Sequence, residues 1–216
     1  MKASETAARL VRYGLIPVIR YANADDGALA IECALRAGIP TVEITLTMPD
    51  ALDMVREFSR HLESHQMLGA GTVWNEDDCA RALHAGAAYI VSPGLVPGLG
   101  AQVHEGNAAY LPGAMTPGEV AACLRDGADI VKLFPASVVG LNHLKAVKAV
   151  FPTTRFCPTG GVTGDNMEDW FNAGASCVGI GSSLFSEAAI RARDQKLLVE
   201  EAKHHLSLLS LITRSS

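Results

Sequence analysis

Two features of the chain predict an α/β fold, a (β/α)8 TIM barrel in a single domain with an extra N-terminal helix. Strand and helix patterns alternate from end to end, and a helix-ending glycine followed by an apolar strand recurs four times. The four segments are Arg36-Ala-Gly-Ile-Pro-Thr-Val-Glu-Ile44, His84-Ala-Gly-Ala-Ala-Tyr-Ile-Val91, Arg125-Asp-Gly-Ala-Asp-Ile-Val-Lys132 and Asn172-Ala-Gly-Ala-Ser-Cys-Val-Gly179. Glycine just past a last helical turn adopts the left-handed cap without a Cβ penalty. Gly38, Gly86, Gly127 and Gly174 recur at a spacing too long for one βα unit, and two units fit each interval.

The chain begins with an amphipathic helix start, Met1-Lys-Ala-Ser-Glu-Thr-Ala-Ala-Arg9, rather than with a signal peptide. The intervening strands follow at Ile16–Arg20, Gln66–Thr72, Ala109–Pro112 and Arg155–Pro158. Helical patterns cover Ala24–Ala37, Pro49–His61, Glu76–Ala85, Thr116–Arg125, Leu141–Val150 and Gly164–Ala173, with a long one from Ser186 onward. Eight units in 216 residues match a compact barrel, and the domain is expected to span 1–216. An open doubly wound sheet would show a glycine fingerprint after the first strand, and Arg20-Tyr-Ala-Asn-Ala-Asp25 has none. The last helix carries Leu197, Leu198, Val199, Leu206, Leu208, Leu209 and Leu211 on more than one face, which predicts packing against the barrel, with a subunit contact as the alternative.

One residue stands out against this pattern. Lys132 lies in Ala128-Asp-Ile-Val-Lys-Leu-Phe-Pro-Ala136, a strand apolar on both faces, whereas the other five lysines lie at the N-terminus or in helical patterns. Removal from water disfavours a charged amine, which is how a lysine becomes a nucleophile. A buried ion pair or a side chain reaching out past the strand end would also explain it.

The C-terminal ends of the strands are where a barrel gathers its chemistry, and here they are polar. Strand one ends in Arg20, strand two in Glu43 and Thr45 with Thr47 beyond, strand three in Gly71-Thr72, and strand four in Ser92-Pro93. Side chains alternate along a strand, so if Val42 and Ile44 face the helices, Thr41, Glu43 and Thr45 face the interior, with a carboxylate directed at Lys132. A plain counter-ion is the simpler role for Glu43, but the arginine on strand one adds a group able to bind an anionic substrate. Strands seven and eight run into Pro158-Thr-Gly-Gly-Val162 and Gly179-Ile-Gly-Ser-Ser183. Glycine-rich turns at helix starts offer backbone amides to a phosphate, and in barrels these two loops are its usual place.

Composition narrows the field further. A hydrophobic content of 49% with 19% charged residues supports one substantial core. The net charge of −5 argues against nucleic acid or an anionic membrane as partner. No apolar run reaches the roughly 20 residues of a membrane span. Five cysteines without close pairing read as reduced core thiols, so a cytoplasmic location is expected. His61 and His65 have ligand-like spacing but no His-Glu-x-x-His arrangement, and they read as a solvated face; no metal and no cofactor is predicted.

Taken in order, Glu43-Ile-Thr45, Gly69-Ala-Gly-Thr-Val73, Val91-Ser-Pro-Gly94, Pro112-Gly-Ala-Met-Thr-Pro117, Val131-Lys-Leu-Phe-Pro-Ala136, Pro158-Thr-Gly-Gly-Val162 and Gly179-Ile-Gly-Ser-Ser183 resemble the 2-keto-3-deoxy-6-phosphogluconate (KDPG) and 4-hydroxy-2-oxoglutarate (KHG) aldolases over nearly the whole chain. The resemblance implies a class I, Schiff-base aldolase without metal that acts on a small 2-oxo acid as a homotrimer. It implies Lys132 as the Schiff-base lysine and Glu43 as the general acid/base. Thr72 would lie beside bound pyruvate, with Pro93 and Phe134 lining the pocket. Thr159, Gly160, Gly161, Gly181 and Ser182 would hold the phosphate end. Many members place arginine two residues after the threonine of the Glu-x-Thr motif, where this chain has Thr47. Others carry it at the end of strand one, as Arg20 does here.

The expected reaction is cleavage of KDPG to pyruvate and glyceraldehyde 3-phosphate, with cleavage of KHG to pyruvate and glyoxylate beside it. An aldolase for 2-keto-3-deoxy-6-phosphogalactonate or for an unphosphorylated acid is the alternative. From other classes, a phosphate-binding isomerase or synthase, or a non-catalytic sugar-phosphate sensor, would share the glycine loops without needing Lys132.

Overall fold

The computed structural model describes residues 2–213 and shows an α/β barrel of parallel strands. The strands are β1 (Leu15–Ile19), β2 (Thr41–Thr45), β3 (Met67–Gly71), β4 (Tyr89–Val91), β5 (Ala109–Leu111, continued by Gly113–Ala114), β6 (Val131–Leu133), β7 (Phe156–Pro158) and β8 (Val178–Ile180). β5 is in two pieces because Pro112 has no N–H to place in the ladder.

The strands form one arc from β5 back through β1 to β8 and a second from the end of β5 through β7. Hydrogen bonds join the arcs at both seams. Lys132 N donates to the Pro112 carbonyl at 2.9 Å, and Thr159 bridges to Gly179 in parallel register.

Alternation within the strands sorts side chains as expected. Val42, Ile44, Ala70 and Ile90 join the large core shared with the helices, whereas Ile16, Met67, Tyr89, Val91, Leu111, Cys157 and Cys177 belong to a second, inner cluster. Ala7 and Leu10 of α1 (Ala3–Tyr13) also belong to the inner cluster, so the N-terminal helix covers the end of the barrel opposite the polar strand termini. All five cysteines are buried and none is in a disulfide, and burial pushes the thiols of Cys79 and Cys123 up to about 11 and about 12.

Local signals account for most helix ends. Asn23 caps α2 (Ala24–Arg36) and Asn75 caps α4 (Glu76–Ala85), each accepting a backbone N–H at 2.8 Å. The four repeated glycines all have positive φ, between 90° at Gly127 and 107° at Gly86. Between these helices, α3 runs over Ala51–Ser59, two residues later than the pattern, because Asp50 takes a left-handed conformation ahead of it.

The structure corrects the remaining helices. A short helix, α5 (Leu99–Glu105), fills the segment between β4 and β5, where the sequence shows no helical pattern. Its start is held by the Asp126 carboxylate, which accepts from Gly98 N at 2.7 Å and Gly100 N at 3.1 Å, a cap supplied from far along the chain. After α6 (Pro117–Arg125), α7 begins at Ala136 rather than Leu141 and runs to Val150 with a break at Gly140. α8 (Met167–Asn172) is shorter than its pattern. The long terminal helix is two, α9 (Glu187–Ala192) and α10 (Gln195–Leu211), separated where Arg193 adopts φ 50° and Asp194 caps the second. On α10, Leu198 and Leu209 are buried while Leu197 and Leu211 are exposed. Among the described residues no helix is long and apolar enough to cross a membrane.

Candidate active site

Lys132 and Glu43 meet inside the barrel. Register places Lys132 between Gly113 of β5 and Cys157 of β7, and its Nζ lies 3.8 Å from Glu43 Oε1, with the two side chains only 5% and 4% exposed. The Lys132 Nζ also stands 5.3 Å from the centre of the Phe134 ring. Glu43 Oε1 is buried and has no hydrogen-bond partner among the described residues. A buried carboxylate oxygen in that state carries a desolvation cost that a hydrogen-bond donor would relieve.

Arg20 follows β1, and its Nη2 donates to Thr72 Oγ1 at 3.2 Å. Thr72 has φ 60°, an outlying conformation for a β-branched residue and one found disproportionately at functional sites. Thr47 is turned the other way. Its hydroxyl donates to Thr45 Oγ1 at 3.3 Å, and Thr45 in turn donates to the Ile19 carbonyl at 2.9 Å. A short polar chain therefore ties the ends of β1 and β2 together next to Arg20.

A cavity of about 590 Å³ opens above Lys132, within the ~300–1,000 Å³ usual for small-molecule sites. Arg20, Lys132, Phe134, Thr159, Gly160, Gly161, Gly181 and Ser182 all line it. Glu43 and Thr72 are not on its wall, but each contacts a residue that is, Glu43 meeting Lys132 and Thr72 meeting Arg20. Thr47 and Pro93 are not on its wall, and the Pro93 carbonyl lies against Gly113.

The far end of the cavity is built from backbone. Gly160 and Gly161 have φ 88° and 90°. The carbonyls of Thr159, Gly160 and Gly161 accept from Ala136 N, Ser137 N and Asn166 Nδ2, so this loop's acceptors are already engaged. No hydrogen bond within the described residues uses the amides of Gly160, Gly161, Ser182 or Ser183. Two adjoining turns with free donors are suited to an anion.

Several wall residues carried no signal in the sequence. Val18, Tyr21, Phe185 and Ile190 supply apolar surface. The Tyr21 phenol is pushed up to about 12, mainly by burial and then by Asp26 and Glu201, so it stays a neutral donor. These residues come from β1 and the turn after it, the loop after β8, and α9, and only closure of the ring gathers them. Among the described residues no group of three His, Cys, Asp or Glu side chains is placed to hold a metal ion.

Comparison with known proteins identifies a family and a fold. A family model described as KDPG and KHG aldolase matches residues 6–200. The 2-dehydro-3-deoxy-phosphogluconate aldolase of Zymomonas mobilis is 35% identical over 167 residues, 76% of this chain and 79% of that one. The KHG/KDPG aldolase of Escherichia coli is 30% identical over 191 residues, 88% of this chain and 89% of that one. A crystal structure of KDPG aldolase from Legionella pneumophila, with pyruvate captured as a covalent carbinolamine, superposes with a TM-score of 0.83 at 30% identity, covering 92% of this chain and 96% of that chain.

Proposed function

The chain belongs to the KDPG and KHG aldolase family, and from that membership we propose that it is a class I lyase cleaving KDPG to pyruvate and glyceraldehyde 3-phosphate, with KHG as a second substrate. The observation that carries the mechanism is the buried Lys132–Glu43 pair, 3.8 Å apart, at the base of a cavity whose other end is two turns of free amides.

Lys132 adds to the C2 carbonyl of the 2-oxo acid to give a carbinolamine, and loss of water gives an iminium. Glu43 assists that dehydration and then takes the C4 hydroxyl proton, directly or through a water at its unpaired Oε1. The C3–C4 electron pair moves into the iminium as the bond breaks, releasing the aldehyde and leaving an enamine. Glu43 returns a proton to C3, and hydrolysis frees pyruvate and the lysine. Arg20 and Thr72 orient the pyruvyl carboxylate, with Thr47 anchoring the neighbouring turn; Phe134 confines the reacting end, and Pro93, off the cavity wall, packs against Gly113 behind it. Thr159, Gly160, Gly161, Gly181 and Ser182 receive the phosphate.

The deciding experiment is incubation with pyruvate, reduction with borohydride and mass analysis of the Lys132 peptide. An adduct is expected, and its absence removes the Schiff-base assignment. A pyruvate-release assay on the gluconate, galactonate and unphosphorylated 2-oxo acids then ranks the substrates. An isomerase or synthase would survive Lys132→Arg, and a sensor would bind without turnover.

The family membership and the single barrel also support one domain working in the cytoplasm as a homotrimer. Trp74, Val138 and Leu211, at 56%, 66% and 79% exposure, are apolar side chains that a subunit contact would cover. Sedimentation velocity at micromolar concentration tests the trimer.

A further inference from the structure

The inner face of β3 carries two glycines, Gly69 and Gly71, that no turn requires. Both lie in a regular ladder, with Gly69 opposite Glu43 and Gly71 opposite Thr45, and neither has a positive φ. Their reason is space. A Cβ on Gly69 would lie 2.0 Å from the Tyr89 ring, and Tyr89 is itself fixed by a 3.0 Å hydrogen bond between its hydroxyl and Thr41. A Cβ on Gly71 would lie 2.0 Å from Glu43 Oε1, 2.6 Å from its Cδ and 2.7 Å from its Cγ.

We infer that Gly71 is a positioning residue for the proposed reaction: the side chain it lacks is the slot in which the Glu43 carboxyl lies to face Lys132. The inference rests on the assignment of Glu43 given above. The carboxyl group is held in place by what is missing beside it as much as by its partner, since Oε1 has no hydrogen bond among the described residues to fix it. The three atoms nearest to a methyl group at position 71 all belong to one side chain, that of Glu43, and none is backbone. Gly100 and Gly113 differ, because a Cβ there would meet the backbone carbonyl oxygens of Asp126 at 1.7 Å and Pro93 at 2.1 Å. Substitution at Gly71 therefore turns Glu43 away from the amine while the strand and Lys132 stay in place.

The test is a double-mutant cycle on aldol cleavage and on exchange of the pyruvate methyl protons, with Gly71→Ala, Glu43→Gln and their combination. Gly71→Ala is expected to lower kcat by about 10²–10⁴-fold, the range for loss of a general acid/base, and by the same factor as Glu43→Gln. The combined variant is expected to be no slower than either alone. Wild-type kcat in Gly71→Ala, or two losses that multiply, overturns the inference.

Stability supplies the second readout. Because Glu43→Ala empties the slot, Gly71→Ala should destabilise the Glu43→Ala protein less than it destabilises the wild type, even if Gly71→Ala alone fails to fold. Equal or greater destabilisation in the Glu43→Ala background also overturns it. A wild-type protein without aldolase activity would defeat the functional reading, and this stability comparison would still judge the slot.

Discussion

Arg20 and Thr72, from the ends of β1 and β3, are joined by a 3.2 Å hydrogen bond that passes over the position of β2. The guanidinium is thereby held at the mouth of the Lys132 cavity, and Thr47 is engaged with Thr45 instead. The cation at this wall of the cavity thus comes from the end of strand one, and under the proposed function it is the group that would meet a substrate carboxylate.

Arg20→Ala should raise KM for 2-oxo acids by about 10–100-fold, the equivalent of one charge-assisted hydrogen bond of about 1.5–3 kcal/mol. Arg20→Lys should recover part of the loss, because an ammonium lacks the planar fork. Steady-state kinetics on both variants checks this. An unchanged KM in Arg20→Ala would place the carboxylate elsewhere.

Lys132→Met should abolish the borohydride-trapped adduct and also lower stability by about 3–5 kcal/mol, because Glu43 is left as an unpaired buried charge. Lys132→Met/Glu43→Gln should regain most of that stability with no activity. Urea unfolding of the two variants reads the difference. Equal stabilities would mean that the pair carries no net charge coupling.

Gly179→Ala should weaken binding at the far end of the cavity. A Cβ there would lie 2.3 Å from Thr159 Oγ1 and 2.9 Å from its Cγ2, displacing a side chain on the wall. KM for a phosphorylated substrate is expected to rise roughly fivefold to tenfold, the scale of one net hydrogen bond of ~1 kcal/mol. Exchange of pyruvate protons, which needs no phosphate, should be unaffected. Loss of both activities together would point to barrel distortion.

The start of α6 should show a pH signature. Glu119 accepts from Met115 N and Thr116 N, which hold its carboxyl below the ordinary value of 4.5. The unfolded chain then binds the proton more readily than the folded one, so the contribution is fully present above pH 4.5. It is lost as pH falls through the lowered folded value. Unfolding midpoints of wild type and Glu119→Gln should therefore differ at neutral pH and converge in acid. Thr116→Ala, which removes the reciprocal cap, should cost about 1 kcal/mol.

Much of this arrangement is legible in the chain itself, because its causes are local. Period-two alternation assigns Glu43 to the interior and Val42 and Ile44 to the helices, and the structure sorts them that way. The four repeated glycines take left-handed conformations that any reader of helix ends would assign. Lys132 is conspicuous because the segment Ile130-Val-Lys-Leu-Phe134 is otherwise apolar.

Other features depend on residues far apart in sequence. Helix α5 starts on a carboxylate supplied by Asp126, and no pattern within seven residues announces it. That Thr47 turns to Thr45 while Arg20 reaches Thr72 depends on how three strands align across the ring. Gly71 looks like one more strand glycine until the Glu43 carboxyl is found where its side chain would be. Residue types and their spacing by themselves determined the alternating fold, the lysine and the glycine turns, since each follows from the conformational preferences of a few neighbouring residues. Only the closed barrel decided which side chains share the cavity and how far apart they stand, because those distances are set by packing between segments that the sequence keeps apart.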